Sequence, residues 1–153
     1  RNNLLIQLAG NLQTFFVWGL SQLVEAASVE DAKKVLATAV TPYWETHYTF
    51  GSTSVRNDKN LSPFSLNLLC INTVVPILFA YGRHRGEEKY CDRAFDFLEQ
   101  LRPESNYIIR LWQQCGLVVD NAGDSQALIQ LKKEYCDKKE CLRCRFGYEY
   151  LKL

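Results

Sequence analysis

The sequence has no methionine, two histidines, four prolines and eight glycines in 153 residues, and its lysines and arginines outnumber its carboxylates by only one. The scarcity of Pro and Gly excludes a collagen-like or linker-dominated chain. The near balance of charge excludes a histone-like or polybasic membrane protein. No GxGxxG, P-loop or HExxH spacing is present, so the dinucleotide, mononucleotide and zinc-protease signatures are all missing. The longest apolar stretch, Leu68 to Tyr81, is interrupted by Asn72, Thr73 and Pro76 and is shorter than the roughly 20 residues that cross a bilayer. It reads as a core helix, and a membrane is not expected among the partners. A chain without methionine that opens on Arg1 is expected to be a processed product or a piece of a longer protein.

Hydrophobic residues make up 47% of the chain and charged residues 23%, which is enough apolar material for one soluble domain with its own core. Residues 1–20 hold Phe15, Phe16, Val17 and Trp18 but neither a basic flank nor a small-residue cleavage site, so no signal peptide is read. Six cysteines in a domain of this size need not be staples, because disulfides belong mainly to small secreted folds. The expectation is reduced thiols and a cytoplasmic location.

Helical spacing runs through most of the chain. Leu4, Leu5, Leu8, Leu12, Phe15, Phe16, Leu20 and Leu23 form one stripe. Ser28 then opens a second helix, predicted to continue through Val40 until Pro42 stops it, and the two should form a hairpin. Tyr43 to Phe50 is aromatic and fits either a short strand or a helical turn. Gly51 to Ser62 is the longest predicted loop and the most mobile segment. Ser62 and Pro63 begin a helix to Tyr81 that Pro76 must bend. Gly82 to Gly86 reads as a basic turn, and Tyr90 to Leu101 as a helix ending before Pro103. Ser105 or Asn106 starts the next helix, which stops at Gly116, and Asp124 or Ser125 caps another. The prediction is all-α: a compact bundle of about six or seven helices in a single domain, residues 1–153, with a cysteine-rich C-terminal tail.

Chemistry concentrates in that tail. Cys136, Cys141 and Cys144 fall within YCDKKECLRCRFG, the densest set of soft ligands in the chain. Thiolates suit zinc or iron, and Lys138, Lys139, Arg143 and Arg145 are expected to favour ionised sulfur. The spacing Cys-x4-Cys-x2-Cys also coincides with the first three ligands of the plant-type iron–sulfur pattern. No cysteine follows Cys144, so the fourth ligand must come from upstream: Cys115 is nearest in sequence, with Cys91, Cys70, His47 and His84 as alternatives. The competing readings are three reduced cysteines near a turn with no metal, or a disulfide within the cluster.

Other chemistry has thinner support. His47 and His84 could act as bases, yet no nucleophile elbow accompanies either. Asp92, Asp96 and Glu99 share a helical face that reads as solvated. Residues 132–152 carry seven Lys and Arg against four Asp and Glu, an excess of three. With Tyr135, Phe146, Tyr148 and Tyr150 interleaved, such a tail has the composition to meet phosphates and stack bases.

The segments INTVVPILFAYGRHRGEE (71–88), TPYWETHYTFG (41–51), AFDFLEQL (94–101) and DSQALIQLKKEYCDKKECLRCRFG (124–147) resemble the C-terminal portion of a bacterial family of unknown function, DUF2851. The resemblance implies a cytoplasmic bacterial protein whose helical C-terminal domain follows an N-terminal part similar to restriction-endonuclease-like folds. It assigns no catalytic residue. It includes the positions of Cys136, Cys141 and Cys144 without supplying a metal identity or a fourth ligand. The expected function is a non-catalytic accessory domain with a structural metal site. The alternative is a nucleic-acid-binding domain, acting through Lys138, Lys139, Arg143 and Arg145, that assists a nuclease-like N-terminal domain.

Overall fold

In the computed structural model, residues 19–37 and 39–151 are described. The stripe from Leu4 to Phe16 lies outside them. The architecture is all-α: eight helices and one small hairpin among the described residues. The chain divides into two compact units, with the boundary inside a helix between Phe97 and Leu98.

The first unit begins with α1 (Leu20–Glu25) and α2 (Val29–Leu36). Leu23 and Val24 are buried, whereas Leu20, which shares the predicted stripe with Leu23, is half exposed. Ser28 caps α2 as expected: its hydroxyl oxygen accepts from the Asp31 N–H at 3.1 Å and donates to the Asp31 carboxylate at 2.7 Å. The helix ends at Leu36 rather than Val40. Pro42 keeps Thr41 extended, and the chain leaves the helix a turn before it arrives.

The aromatic stretch adopts both of its predicted forms in succession. Pro42–Glu45 is a single helical turn, α3. Strand β1 (His47–Thr49) then pairs antiparallel with β2 (Ser52–Thr53), with a register irregularity between His47 and Thr49. Gly51 sits in the turn at φ +78°, a conformation that glycine adopts without penalty. The polar segment beyond is tied to this hairpin rather than free of it. Ser54 N–H donates to the Thr46 carbonyl and Asn57 N–H to that of Glu45, and Lys59 is almost wholly buried.

Helix α4 runs continuously over Pro63–Arg85, starting where Ser62 accepts from the Ser65 N–H. Near the predicted bend the helix carries a π-helical turn at Cys70–Val74, where Val75 N–H reaches back to the Cys70 carbonyl. That widened turn lies just before Pro76, whose missing N–H cannot serve Asn72. At 23 residues, α4 is longer than the sequence suggested, and an 18-residue stretch of it, with mean hydropathy 1.7 and 28% buried, passes the length and composition test for a membrane span. Core helices pass the same test. Here Cys70, Ile71, Val74, Val75, Leu78 and Gly82 are buried, and α4 packs on α1 and α2.

Gly82 to Arg85 is the last turn of α4, not a free turn. Gly86 closes it at φ +69°, which places Arg83, His84 and Arg85 at the negative end of the helix dipole. Gly82 is small for a reason: a Cβ there would meet the Cys91 sulfur at 2.8 Å. Helix α5 (Glu88–Gln100) follows. Its Arg93 guanidinium donates to the carbonyls of Val24 and Ala26 at 3.1 and 3.2 Å, satisfying the open C-terminus of α1.

In the second unit, α6 (Tyr107–Gln114) is capped by Asn106, which accepts from the Ile109 N–H, and ends before Gly116 at φ +87°. Helix α7 (Ala122–Leu131) continues through a second π-helical turn at Lys132–Cys136. Its cap is Asn121, accepting from Asp124 N–H at 2.9 Å, and not Asp124 or Ser125. Ser125 is fully buried instead, donating to the Ala122 carbonyl and accepting from Glu104 N–H. Trp112 Nε1 donates to the Leu128 carbonyl and joins α6 to α7. A run of turns then leads to α8 (Arg145–Leu151).

Candidate functional site: the cysteine turn

The π-helical end of α7 carries Cys136, whose carbonyl accepts from Lys139 N–H. Lys139 takes φ +56°, reversing the chain so that Cys141 and Cys144 follow in tight turns. Cys144 N–H is shared between the carbonyls of Glu140 (3.1 Å) and Cys141 (3.3 Å), and the Cys144 carbonyl accepts from Tyr148 N–H at 2.8 Å in α8. Gly147 makes the fit possible: a Cβ there would stand 2.3 Å from the Cys141 carbonyl oxygen. The three predicted cysteines are thus neighbours, with Cys136 and Cys141 exposed and Cys144 buried.

At Cys136 the expected favouring of ionised sulfur is not realised. Lys138 pairs with Glu134 at 2.5 Å, Arg143 with Glu140 at 3.0 Å, Arg145 with Glu149 at 3.4 Å, and Lys132 with Asp137. Each of these four positive charges is answered by a carboxylate on its own segment. Of the four predicted nucleic-acid contacts, only Lys139 has no ion pair among the described residues. The Cys136 thiol is pushed up, first because its sulfur is partly withdrawn from water and then because Cys144 and Cys141 would place like charge beside it.

Cys115 is exposed at the end of α6. Among the described residues, no three or more His, Cys, Asp or Glu side chains, Cys115 included, are arranged to hold a metal ion. Cys70 and Cys91 are buried in the first unit. Burial pushes the Cys70 thiol up to about 11, with Lys33 opposing, and Cys91 donates weakly to the Phe79 carbonyl at 3.6 Å.

A second polar feature lies at the hairpin of the first unit. An open cleft of about 270 Å³ is lined by Val40, Glu45, Arg56, Asp58, Lys59 and their neighbours. Glu45 and Arg56 pair at 2.5 Å. Lys59 Nζ donates to the His47 carbonyl at 2.7 Å and stands 3.6 Å from the Tyr48 ring centroid, a desolvated cation–π contact. His47 stacks on Tyr43 with centroids 4.0 Å apart, and its Nδ1 lies 2.8 Å from the Tyr43 carbonyl. A carbonyl only accepts, so Nδ1 carries the proton in that contact. This imidazole is held by a backbone oxygen and an aromatic face, with the Thr46 hydroxyl 3.0 Å from the same Nδ1. His84 lies in the last turn of α4.

Sequence reasoning missed Lys59, Arg93 and Gly147. Lys59 sits in a run of polar residues that reads as solvent-facing. Arg93 acts on residues far away in sequence. Gly147, next to an aromatic, carries no local sign of the backbone that packs against it.

The family described as "protein of unknown function (DUF2851)" matches residues 3–107. The chain belongs to the DUF2851 family. No curated protein and no solved structure matches it. The DUF2851 match covers α1 through α5 and ends at the start of α6, so Cys136, Cys141 and Cys144 lie beyond the matched residues.

Proposed function

We propose that this DUF2851 chain is a non-catalytic helical accessory domain, cytoplasmic, that works by packing against another domain of a longer bacterial protein. The observation that carries the reading is the apolar surface around the cysteine turn: Leu142 is 75% exposed and Phe146 72%, with Leu151 and Tyr148 about half exposed. Side chains this apolar, close in sequence on one short segment, are characteristic of a contact surface. The expected outcome for Leu142→Ser and Phe146→Ser is a change in unfolding free energy below ~0.5 kcal/mol, because both side chains are exposed on this chain. A stability loss as large as that of a core truncation would overturn the reading, because those side chains would then be internal.

A structural zinc ion or iron–sulfur cluster is the second reading, favoured by three thiols on consecutive turns. It requires the tail to reorganise around a fourth ligand. One metal per chain by elemental analysis, with the absorption spectrum distinguishing zinc from iron–sulfur, supports it. Metal-free protein with three titratable tail thiols removes it. Nucleic-acid binding is the weaker proposal, since the charges it would use are largely paired. Absence of DNA binding at low salt eliminates it.

A further inference from the structure

Cys141 and Cys144 form a Cys-x-x-Cys pair whose geometry is set by the backbone. The Cys144 N–H bond to the Cys141 carbonyl closes an i to i+3 turn, which brings the two Cα atoms within about 7 Å, a separation that overlaps the range a disulfide spans. The pair is asymmetric. Cys141 is exposed, while Cys144 is 7% exposed. The turn is also braced, by the Arg143–Glu140 ion pair at 3.0 Å and by the Cys141 carbonyl seated against Gly147. An exposed thiol beside a buried one, on a turn that holds them three residues apart, is the arrangement in which one sulfur meets a substrate and the other releases it.

We propose that Cys141 and Cys144 are a thiol–disulfide exchange pair that reduces low-molecular-weight disulfides. The Cys141 thiolate attacks one sulfur of the substrate R–S–S–R, forming a Cys141–S–S–R mixed disulfide as the first R–S⁻ leaves and takes up a proton. The Cys144 thiolate then attacks the Cys141 sulfur, and the second R–SH leaves. Two protein thiols are oxidised to one disulfide and one small disulfide is reduced to two thiols. Cys136 is a neighbour of the pair but not part of it: three residues and the left-handed Lys139 separate it from Cys141. The inference goes beyond the accessory role by giving the tail a redox activity of its own, and it competes with the metal reading for the same sulfurs.

Trypsin separates the three tail cysteines, because cleavage after Lys138, Lys139, Arg143 and Arg145 places Cys136, Cys141 and Cys144 on different peptides. The test is equilibration of the protein in glutathione/glutathione-disulfide buffers of increasing oxidation, acid quench, alkylation and peptide mapping. The expected result is joint loss of two of the six free thiols, with peptides 140–143 and 144–145 linked to each other. Cys144→Ser should trap Cys141 as a stable glutathione adduct, and Cys141→Ser, a change at an exposed site, should abolish the loss at Cys144. A Cys136–Cys141 link, adducts without an internal disulfide in the wild type, no loss across the whole series, or a metal bound by these thiols in the purified protein each overturns the proposal.

Discussion

Cys70 and Cys91 lie inside α4 and α5, surrounded by the apolar side chains of the first unit, whereas Cys136, Cys141 and Cys144 lie on turns whose neighbours are lysines, arginines and glutamates. The first pair behaves as small hydrophobes. The second group has two of its three thiols open to solvent and its local charge already neutralised in short-range ion pairs. The comparison teaches that cysteine content alone says little about chemistry. Backbone placement decides whether a thiol fills space or meets a reagent.

The contrast is broken most strongly in the core of the first unit. Leu78, fully buried in α4, should cost ~2–5 kcal/mol on truncation to Ala, measured by urea unfolding. A loss below ~1 kcal/mol would mean that α4 is not packed as described.

A pH titration separates the two environments next. The Cys70 thiol stands at about 11 in the folded chain against an ordinary 9.0, so folding keeps it protonated. Its contribution to stability is whole below about pH 9 and is lost as pH rises towards 11. That loss is on the order of 2–3 kcal/mol. Cys70→Ala should remove this part of the alkaline decline, and an unchanged slope counts against burial of that thiol.

Two glycines compare the units directly. Gly82→Ala gains helix propensity of up to ~1 kcal/mol but forces a Cβ to 2.8 Å from the Cys91 sulfur and 3.0 Å from two backbone atoms. A net cost of ~1–3 kcal/mol is expected. Gly147→Ala meets the Cys141 backbone and has only a short turn to displace. Its effect should appear as faster amide exchange around 141–148 rather than as a comparable loss of global stability. Equal global losses would erase the distinction. The smallest effects belong to the caps: Ser28→Ala and Asn121→Ala should each cost about 1 kcal/mol in thermal unfolding, and a cost near zero at Asn121 would return the cap to Asp124 or Ser125.

Where local chemistry determines structure, the sequence was informative. Ser28, Ser62 and Asn106 cap the helices expected of them, and Pro76 coincides with a distorted turn because a missing N–H acts on its own helix. Errors arose where residues several positions apart compete or cooperate. Asn121 takes the cap from Asp124 because the Asp124 N–H is itself the donor. Arg93 closes a helix end 67 to 69 residues away, and Lys59 is buried by a hairpin carbonyl and a tyrosine ring that the polar run around it does not announce. The grouping of Cys136, Cys141 and Cys144 was legible from spacing. The ion pairs around them form at short sequence intervals, with Lys138 and Glu134 at a helical i, i+4 spacing.

The most direct test of the two-environment account is timed alkylation of the native protein with iodoacetamide, quantified cysteine by cysteine after digestion. The account predicts that Cys115, Cys136 and Cys141 label while the protein is folded, and that Cys70, Cys91 and Cys144 react only after denaturation. Labelling of Cys70 or Cys91 as fast as Cys141, or protection of Cys141, would contradict it.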